Sequence, residues 1–342
     1  MSQHTHLSTP DPELITALKG TEGSSQGDSE TDDIVLLREA ADKGFIAMVM
    51  EHNRPNLPPV MKYKLEDHKV PVAGGEITVR ALIPVSENET ESSRVFPLLF
   101  WIHGGGWMLG NLDLDDFYLR NVCVDLQIVI INVDYRLSPE NPFPTGLNDC
   151  YAALKWVGAA SNPSLFNVSL DEGFIIAGQS AGANGAAAIS HRVIKDPFFD
   201  NKPVTGQLLQ IPMVCHPDAY PEMYKSELLS VEQIRDAPFL SRVQLDRIMK
   251  YLQAPPSDPD MSPLLSAHEG LPPMYAQVCG WDPLRDEGLL YERVLREAGV
   301  ITKLDIYPGV FHGFHLAFPK IEAGIRFDRD FRNGIRWLLR EH

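Results

Sequence analysis

At 342 residues and 38.2 kDa, the chain has room for two domains or for one large α/β domain carrying an insertion. Apolar residues make up 44% and charged residues 22%, ordinary globular usage that excludes a disordered, collagenous or coiled-coil chain. A formal charge of −16 repels phosphate backbones, so neither nucleic acid nor an anionic membrane surface is an expected partner.

The four cysteines, Cys123, Cys150, Cys215 and Cys279, stand far apart with no CxxC pair. Buried thiols of a reducing compartment are expected, with no disulfide framework and no metal site. The start, Met1-Ser2-Gln3-His4, has no basic n-region before an apolar run. No stretch reaches the roughly 18 apolar residues of a membrane span. The expected location is cytoplasmic.

In chain order, Gly20 to Asp33 is rich in Gly, Ser, Thr and acid and reads as a mobile loop. Ile34, Leu37, Ala41, Phe45 and Met48 then fall at steps of three and four, the spacing of one helix, with Asp32 or Asp33 placed to cap it. Lys62 to Val72 and Glu76 to Pro84 flank Ala73-Gly74-Gly75 as a hairpin. Six apolar runs follow: Pro97 to His103, Gln127 to Tyr135, Gly173 to Gly178, Gln207 to Val214, Met274 to Gly280 and Thr302 to Tyr307. Helical stretches such as Leu147 to Val157 and Gly288 to Ala298 lie between most of them. Uniformly apolar strands alternating with helices predict a parallel sheet covered on both faces. Only Cys215 to Leu265 breaks the rhythm, an insertion of about fifty residues that suggests a cap over the sheet. A helix carrying Phe327, Phe331, Ile335 and Leu338 on one face closes the chain.

Ligands of such sheets bind beyond the carboxyl ends of the strands, and the informative motifs lie there. Gly178-Gln179-Ser180-Ala181-Gly182 stands between a strand and a small-residue helix, the setting in which G-x-S-x-G presents a nucleophilic serine on a sharp turn. His103-Gly104-Gly105-Gly106-Trp107 ends another strand, and its glycines free backbone N–H groups to point at a developing oxyanion. A dinucleotide-binding reading fails because Leu109 stands where the third glycine is needed. The serine needs a base. Of eleven histidines, His312 is on the loop leaving the last strand, while His103 belongs to the glycine motif and reads as structural. The orienting acid is expected after Met274 to Gly280, in a segment that offers Asp282, Asp286 and Glu287.

HGGGW, DYRLSPENPFP (Asp134 to Pro144), GQSAG, DPLRDEG and HGF, in that order, resemble the hormone-sensitive-lipase-like branch of the α/β-hydrolases over about 95 to 318. The resemblance implies a mostly parallel eight-stranded sheet that begins with an antiparallel hairpin. It implies a helical cap drawn from the N-terminus and from an insertion after the sixth strand. The expected division is residues 1–55 as the N-terminal part of the cap with the mobile loop 20–33, 56–214 as the first part of the core, 215–265 as the cap insertion and 266–342 as the rest of the core. By the same resemblance Ser180 is the nucleophile, His312 the base and Asp282 the acid. The amides of Gly105, Gly106 and Ala181 are then the oxyanion donors.

The strand should end near Gly280, which sets Asp282 at the sheet's carboxyl edge. Asp286 and Glu287 would lie in the first turn of the next helix, where carboxylates ordinarily cap or complement the dipole. Gln179 departs from the family's usual aspartate, and Arg136 is expected to be a structural ion-pair partner.

The expected function is a serine carboxylesterase cleaving small-molecule esters of short to medium acyl chain without metal or organic cofactor. Edge-strand pairing makes a homodimer an option. The rival readings are an amidase or deacetylase sharing the same machinery, and an inactive ligand-binding relative. Relatives of the second kind have lost the histidine, whereas this chain has a candidate at every triad position.

Overall fold

The computed structural model describes residues 4–19, 32–85, 94–159 and 162–340; of the expected mobile loop, only Asp32 and Asp33 lie inside the described residues. The expected hairpin pairs β1 (Tyr63–Val72) with β2 (Gly75–Pro84), and Gly74 supplies the left-handed turn residue at φ +80°. The remaining strands are β3 (Leu98–Ile102), β4 (Val129–Asp134), β5 (Phe174–Gln179), β6 (Gly206–Gln210), β7 (Met274–Trp281) and β8 (Thr302–Phe311). They form one eight-stranded sheet in the order β1-β2-β4-β3-β5-β6-β7-β8. The β1–β2 and β2–β4 pairs are antiparallel and every other pair is parallel.

Both faces of the parallel part are covered, which is why β3 to β7 read as near-continuous apolar runs. On one face Leu154, Ala187 and Leu295 of three helices meet Phe100, Ile176 and Leu209 of the sheet. On the other, Leu119 and Val122 from the Asp113–Leu126 helix and Phe331 and Ile335 from the Glu322–Leu338 helix pack on Trp101, Ile175 and Tyr275. No helix of the described residues is long and apolar enough to cross a membrane.

Three boundaries differ from expectation. β6 stops at Gln210 because Ile211 adopts φ +43° and Pro212 offers no N–H to a ladder. β8 runs on to Phe311, which pairs with Trp281 across an irregularity in the ladder. The helix expected from Ile34 is interrupted by a π-helical turn at Ala41–Ile46, which contains Gly44, before resuming at Ala47–Asn53.

Between β6 and β7 lie short helical turns and one longer helix, Arg242–Leu252, begun by a Ser241/Gln244 capping box. Its Leu245 and Leu252 join Met213, Val231, Leu240, Met261 and Leu284 in a small core of their own. Residues 32–53 lie against this excursion. Phe45 and Phe239 rings are 4.9 Å apart, and Asp32 bridges Arg247 and Lys250 at 3.2 and 3.1 Å. Residues 5–19 go elsewhere, to the β7–β8 edge. There Leu14 is fully buried among Tyr307, Phe311 and Phe327, and the Asp11 amide donates to the Gly309 carbonyl.

Candidate active site

β5 ends at Gln179 and the next helix starts at Ala181, so Ser180 alone makes the turn. It does so at φ +55°, ψ −117°, a conformation that costs a non-glycine residue about 1–3 kcal/mol. The turn is tight enough to require both flanking glycines. A Cβ on Gly178 would lie 2.3 Å from the Gly182 carbonyl oxygen, and one on Gly182 would lie 2.0 Å from that of Ile102. The Ser180 amide donates to Gln210 on β6 at 2.8 Å, which ties the turn to the sheet. Gly182→Ala forces backbone apart and should destabilise the protein by on the order of 3 kcal/mol. An unchanged melting temperature would contradict this account of the turn.

The next two residues arrive from the ends of β7 and β8. Asp282 immediately follows β7, and its Oδ1 accepts from the Leu284 amide at 2.8 Å. Its Oδ2 lies 2.8 Å from Nδ1 of His312, which follows β8; Gly313, at φ +73°, turns the chain away. Nε2 of His312 is 2.8 Å from Ser180 Oγ. Asp282 and His312 are buried, while Ser180 is partly open to solvent. With Nδ1–H donated to the carboxylate, the Nε2 lone pair faces the hydroxyl. The arrangement can therefore take a proton from Ser180 as its oxygen attacks.

The glycine loop borders the same point. An ideal Cβ on Gly104 would be 3.6 Å from Ser180 Cβ. Gly105, Gly106 and Trp107 all have positive φ, +108°, +61° and +57°. Among the described residues the amides of Gly105 and Gly106 meet no backbone acceptor, and Ala181, first in its helix, has none within the helix. His103 has no part in proton chemistry. It is fully buried and stacked on Tyr135 at 4.3 Å, its Nδ1 lies 2.7 Å from the Gly104 carbonyl, and burial pushes its pKa down to about 4.

Arg136 makes the structural ion pair expected of it, with Nη2 2.6 Å from Asp149 Oδ1. Gln179 Oε1 lies 3.3 Å from Nε2 of the buried His315, whose pKa burial pushes down to about 3, so the pair beside the serine is uncharged.

The expectation for Asp286 and Glu287 needs correction. Both lie in the first turn of the Arg285–Glu297 helix, yet neither is a solvent-facing cap. Asp286 pairs with the fully buried Arg285 and accepts from the Leu229 amide. Glu287 accepts from the Val214 and Cys215 amides at 2.9 and 3.0 Å and from the Tyr220 hydroxyl at 2.6 Å. They anchor the chain that leaves β6, a role invisible locally because, apart from the neighbouring Arg285, the groups they hold at Val214, Cys215, Tyr220 and Leu229 lie more than 50 residues away.

Burial, aided by nearby Asp282, pushes the Glu287 carboxyl from 4.5 up to about 7. A raised carboxyl pKa gives stability that is fully present below the unfolded value and is lost as pH rises through the folded one. Wild type should therefore lose up to about 3 kcal/mol relative to Glu287→Gln between pH 4.5 and 7. Parallel denaturation midpoints across that range would refute this.

Two site walls have no signature in the sequence. Ile248 Cδ1 would be 2.8 Å from a Cβ on Gly106, and the Phe239 ring 2.9 Å from one on Gly313. Both side chains come from the excursion after β6 and reach the glycines through packing alone.

Comparison with known proteins matches residues 99–316 to the alpha/beta hydrolase fold family. Versiconal hemiacetal acetate esterase of Dothistroma septosporum is 37% identical over 71% of this chain and 74% of its own. The crystal structure of Vibralactone Cyclase superposes with a TM-score of 0.93 at 42% identity, covering 98% of this chain and 96% of that one. Bacterial Heroin Esterase superposes with a TM-score of 0.82 at 28% identity, over 97% and 99% of the two chains.

Proposed function

The chain belongs to the α/β-hydrolase family, in its hormone-sensitive-lipase-like branch, and from that premise we propose that it is a serine carboxylesterase acting on small-molecule esters. The observation that carries the proposal is the continuous Ser180–His312–Asp282 chain of 2.8 Å contacts beside the Gly105 and Gly106 amides, which meet no backbone acceptor among the described residues.

Ser180 Oγ attacks the ester carbonyl carbon while His312 Nε2 takes its proton. Asp282 holds the imidazole in the tautomer that can do so and stabilises the imidazolium that forms. Negative charge gathers on the carbonyl oxygen, where the amides of Gly105, Gly106 and Ala181 donate to it. The imidazolium then protonates the departing alcohol, leaving an acyl-serine. A water molecule, deprotonated by the same histidine, repeats the sequence and releases the acid.

Residues 32–53 and 215–265 act as the roof. Ile248 over Gly106 and Phe239 over Gly313 limit the depth available to an acyl chain, which supports a preference for short to medium chains. Pairing of two copies through β8, the last strand of the sheet, is part of the same reading.

A panel of p-nitrophenyl esters of increasing chain length, with p-nitroanilides as counter-test, is the direct experiment. Turnover should fall at least tenfold from medium to long acyl chains, and anilides should react at least a hundredfold more slowly than matched esters. Anilides cleaved as fast as esters would favour the amidase reading instead. The likeness to Vibralactone Cyclase supports a second outcome, ring closure, in which a hydroxyl within the acyl group replaces water as acceptor. Product analysis with a hydroxy-acyl ester separates lactone from free acid.

A further inference from the structure

The loop from Gly104 to Gly110 has little of its own to hold it. Gly105, Gly106 and Gly110 carry no side chains, and three consecutive residues sit at positive φ. Within the loop the Met108 and Leu109 amides donate to the Gly105 carbonyl at 3.2 and 2.9 Å. From outside, Ser138 donates to the Trp107 carbonyl through its amide at 2.9 Å and its hydroxyl at 3.1 Å.

One further group reaches both segments, and it comes from the N-terminal part of the chain. Arg38, on the Ile34–Ala40 helix, donates from Nε to the Met108 carbonyl at 2.9 Å and from Nη2 to the Ser138 carbonyl at 2.8 Å. Glu140 accepts from Nη1 and Nη2 at 2.8 and 2.7 Å, which fixes the plane of the guanidinium. The helix is itself fastened, since Asp33 caps it and the adjoining Asp32 bridges Arg247 and Lys250.

We infer that Arg38 is a positioning residue for the reaction, which clamps the glycine loop to the Ser138–Glu140 segment and so holds the Gly105 and Gly106 amides at the developing oxyanion. This role rests on the reading of those amides as oxyanion donors. Donors aimed in advance at the position of the charge are effective only while they stay there, and a glycine-rich loop does not hold itself. The ion pair alone does not account for the arrangement. Arg38 is 26% and Glu140 52% exposed, and exposed pairs stabilise a fold only weakly. Lysine is a point donor and cannot meet the Met108 carbonyl, the Ser138 carbonyl and the Glu140 carboxylate in one plane.

The test uses the full chain and the variants Arg38→Ala, Arg38→Lys and Lys43→Ala, with active sites counted by an organophosphonate. Lys43 is an exposed residue nearby whose only ion pair is with Glu39, among the described residues. Two quantities are read: kcat and KM on p-nitrophenyl butyrate, and the affinity for a trifluoromethyl ketone, whose serine adduct carries an oxyanion. Arg38→Ala should lower kcat per titrated site about tenfold or more, leave KM within threefold and weaken the ketone by a similar factor. Arg38→Lys, which covers the case in which the alanine variant fails to accumulate, should recover only part of the loss. Lys43→Ala should match wild type.

Wild-type kcat and ketone affinity in the Arg38 variants would overturn the inference. So would a rise in KM alone, or an equal loss in Lys43→Ala, since these point to substrate access or general loosening. Ser180→Ala is run beside them. If it is inactive while the Arg38 variants are normal, this inference fails and the proposed chemistry stands. If Ser180→Ala remains active, the proposed chemistry itself fails.

Discussion

Ser180→Ala should lower ester turnover by at least about four orders of magnitude while the protein stays folded. The alanine keeps Cβ and loses only Oγ, so the φ +55° turn and its hydrogen bond to Gln210 carry over unchanged. Melting temperature should therefore move by no more than a few degrees. The residual rate reports the glycine-loop amides and substrate binding without a nucleophile. A folded variant retaining more than about a tenth of the wild-type rate would remove Ser180 from the mechanism.

The second large effect separates two carboxylates four residues apart. In Asp282→Asn the Leu284 amide can keep its acceptor, but an NH₂ group then faces His312 Nδ1. That favours the tautomer with its proton on Nε2, which cannot accept one from Ser180. Turnover should drop by up to about four orders of magnitude with a modest change in stability. Asp286→Asn touches neither Ser180 nor His312. It leaves the buried Arg285 guanidinium without its carboxylate, so the cost appears as stability, about 3 kcal/mol, with turnover of the folded fraction within severalfold of wild type. Turnover and melting temperature measured on both purified variants decide the matter. An active Asp282→Asn beside an inactive Asp286→Asn would reverse the assignment.

What the sequence by itself determined is whatever short-range chemistry writes into consecutive residues. The Ala73-Gly74 turn, the apolar runs that must be buried on both faces, and the glycines around Ser180 each follow from steric or solvation rules acting over a few residues. Because strands of a parallel sheet end at one edge, reading those runs also placed Ser180, Asp282 and His312 near one another, and the geometry brings the three together.

Tertiary structure alone decided the rest. Glu287 holds the Val214 and Cys215 amides from 73 and 72 residues away, and nothing around DPLRDEG distinguishes it from an ordinary first-turn carboxylate. Ile248 and Phe239 lie in stretches with no motif, and they wall the site only because Ile248 packs on a separate small core and Phe239 lies against the rings of Phe45 and Phe311. Arg38 meets Met108 across 70 residues and Ser138 across 100. Such contacts depend on where separately folded elements dock, and a hydrogen bond formed at that distance leaves no periodicity or spacing in the chain that makes it.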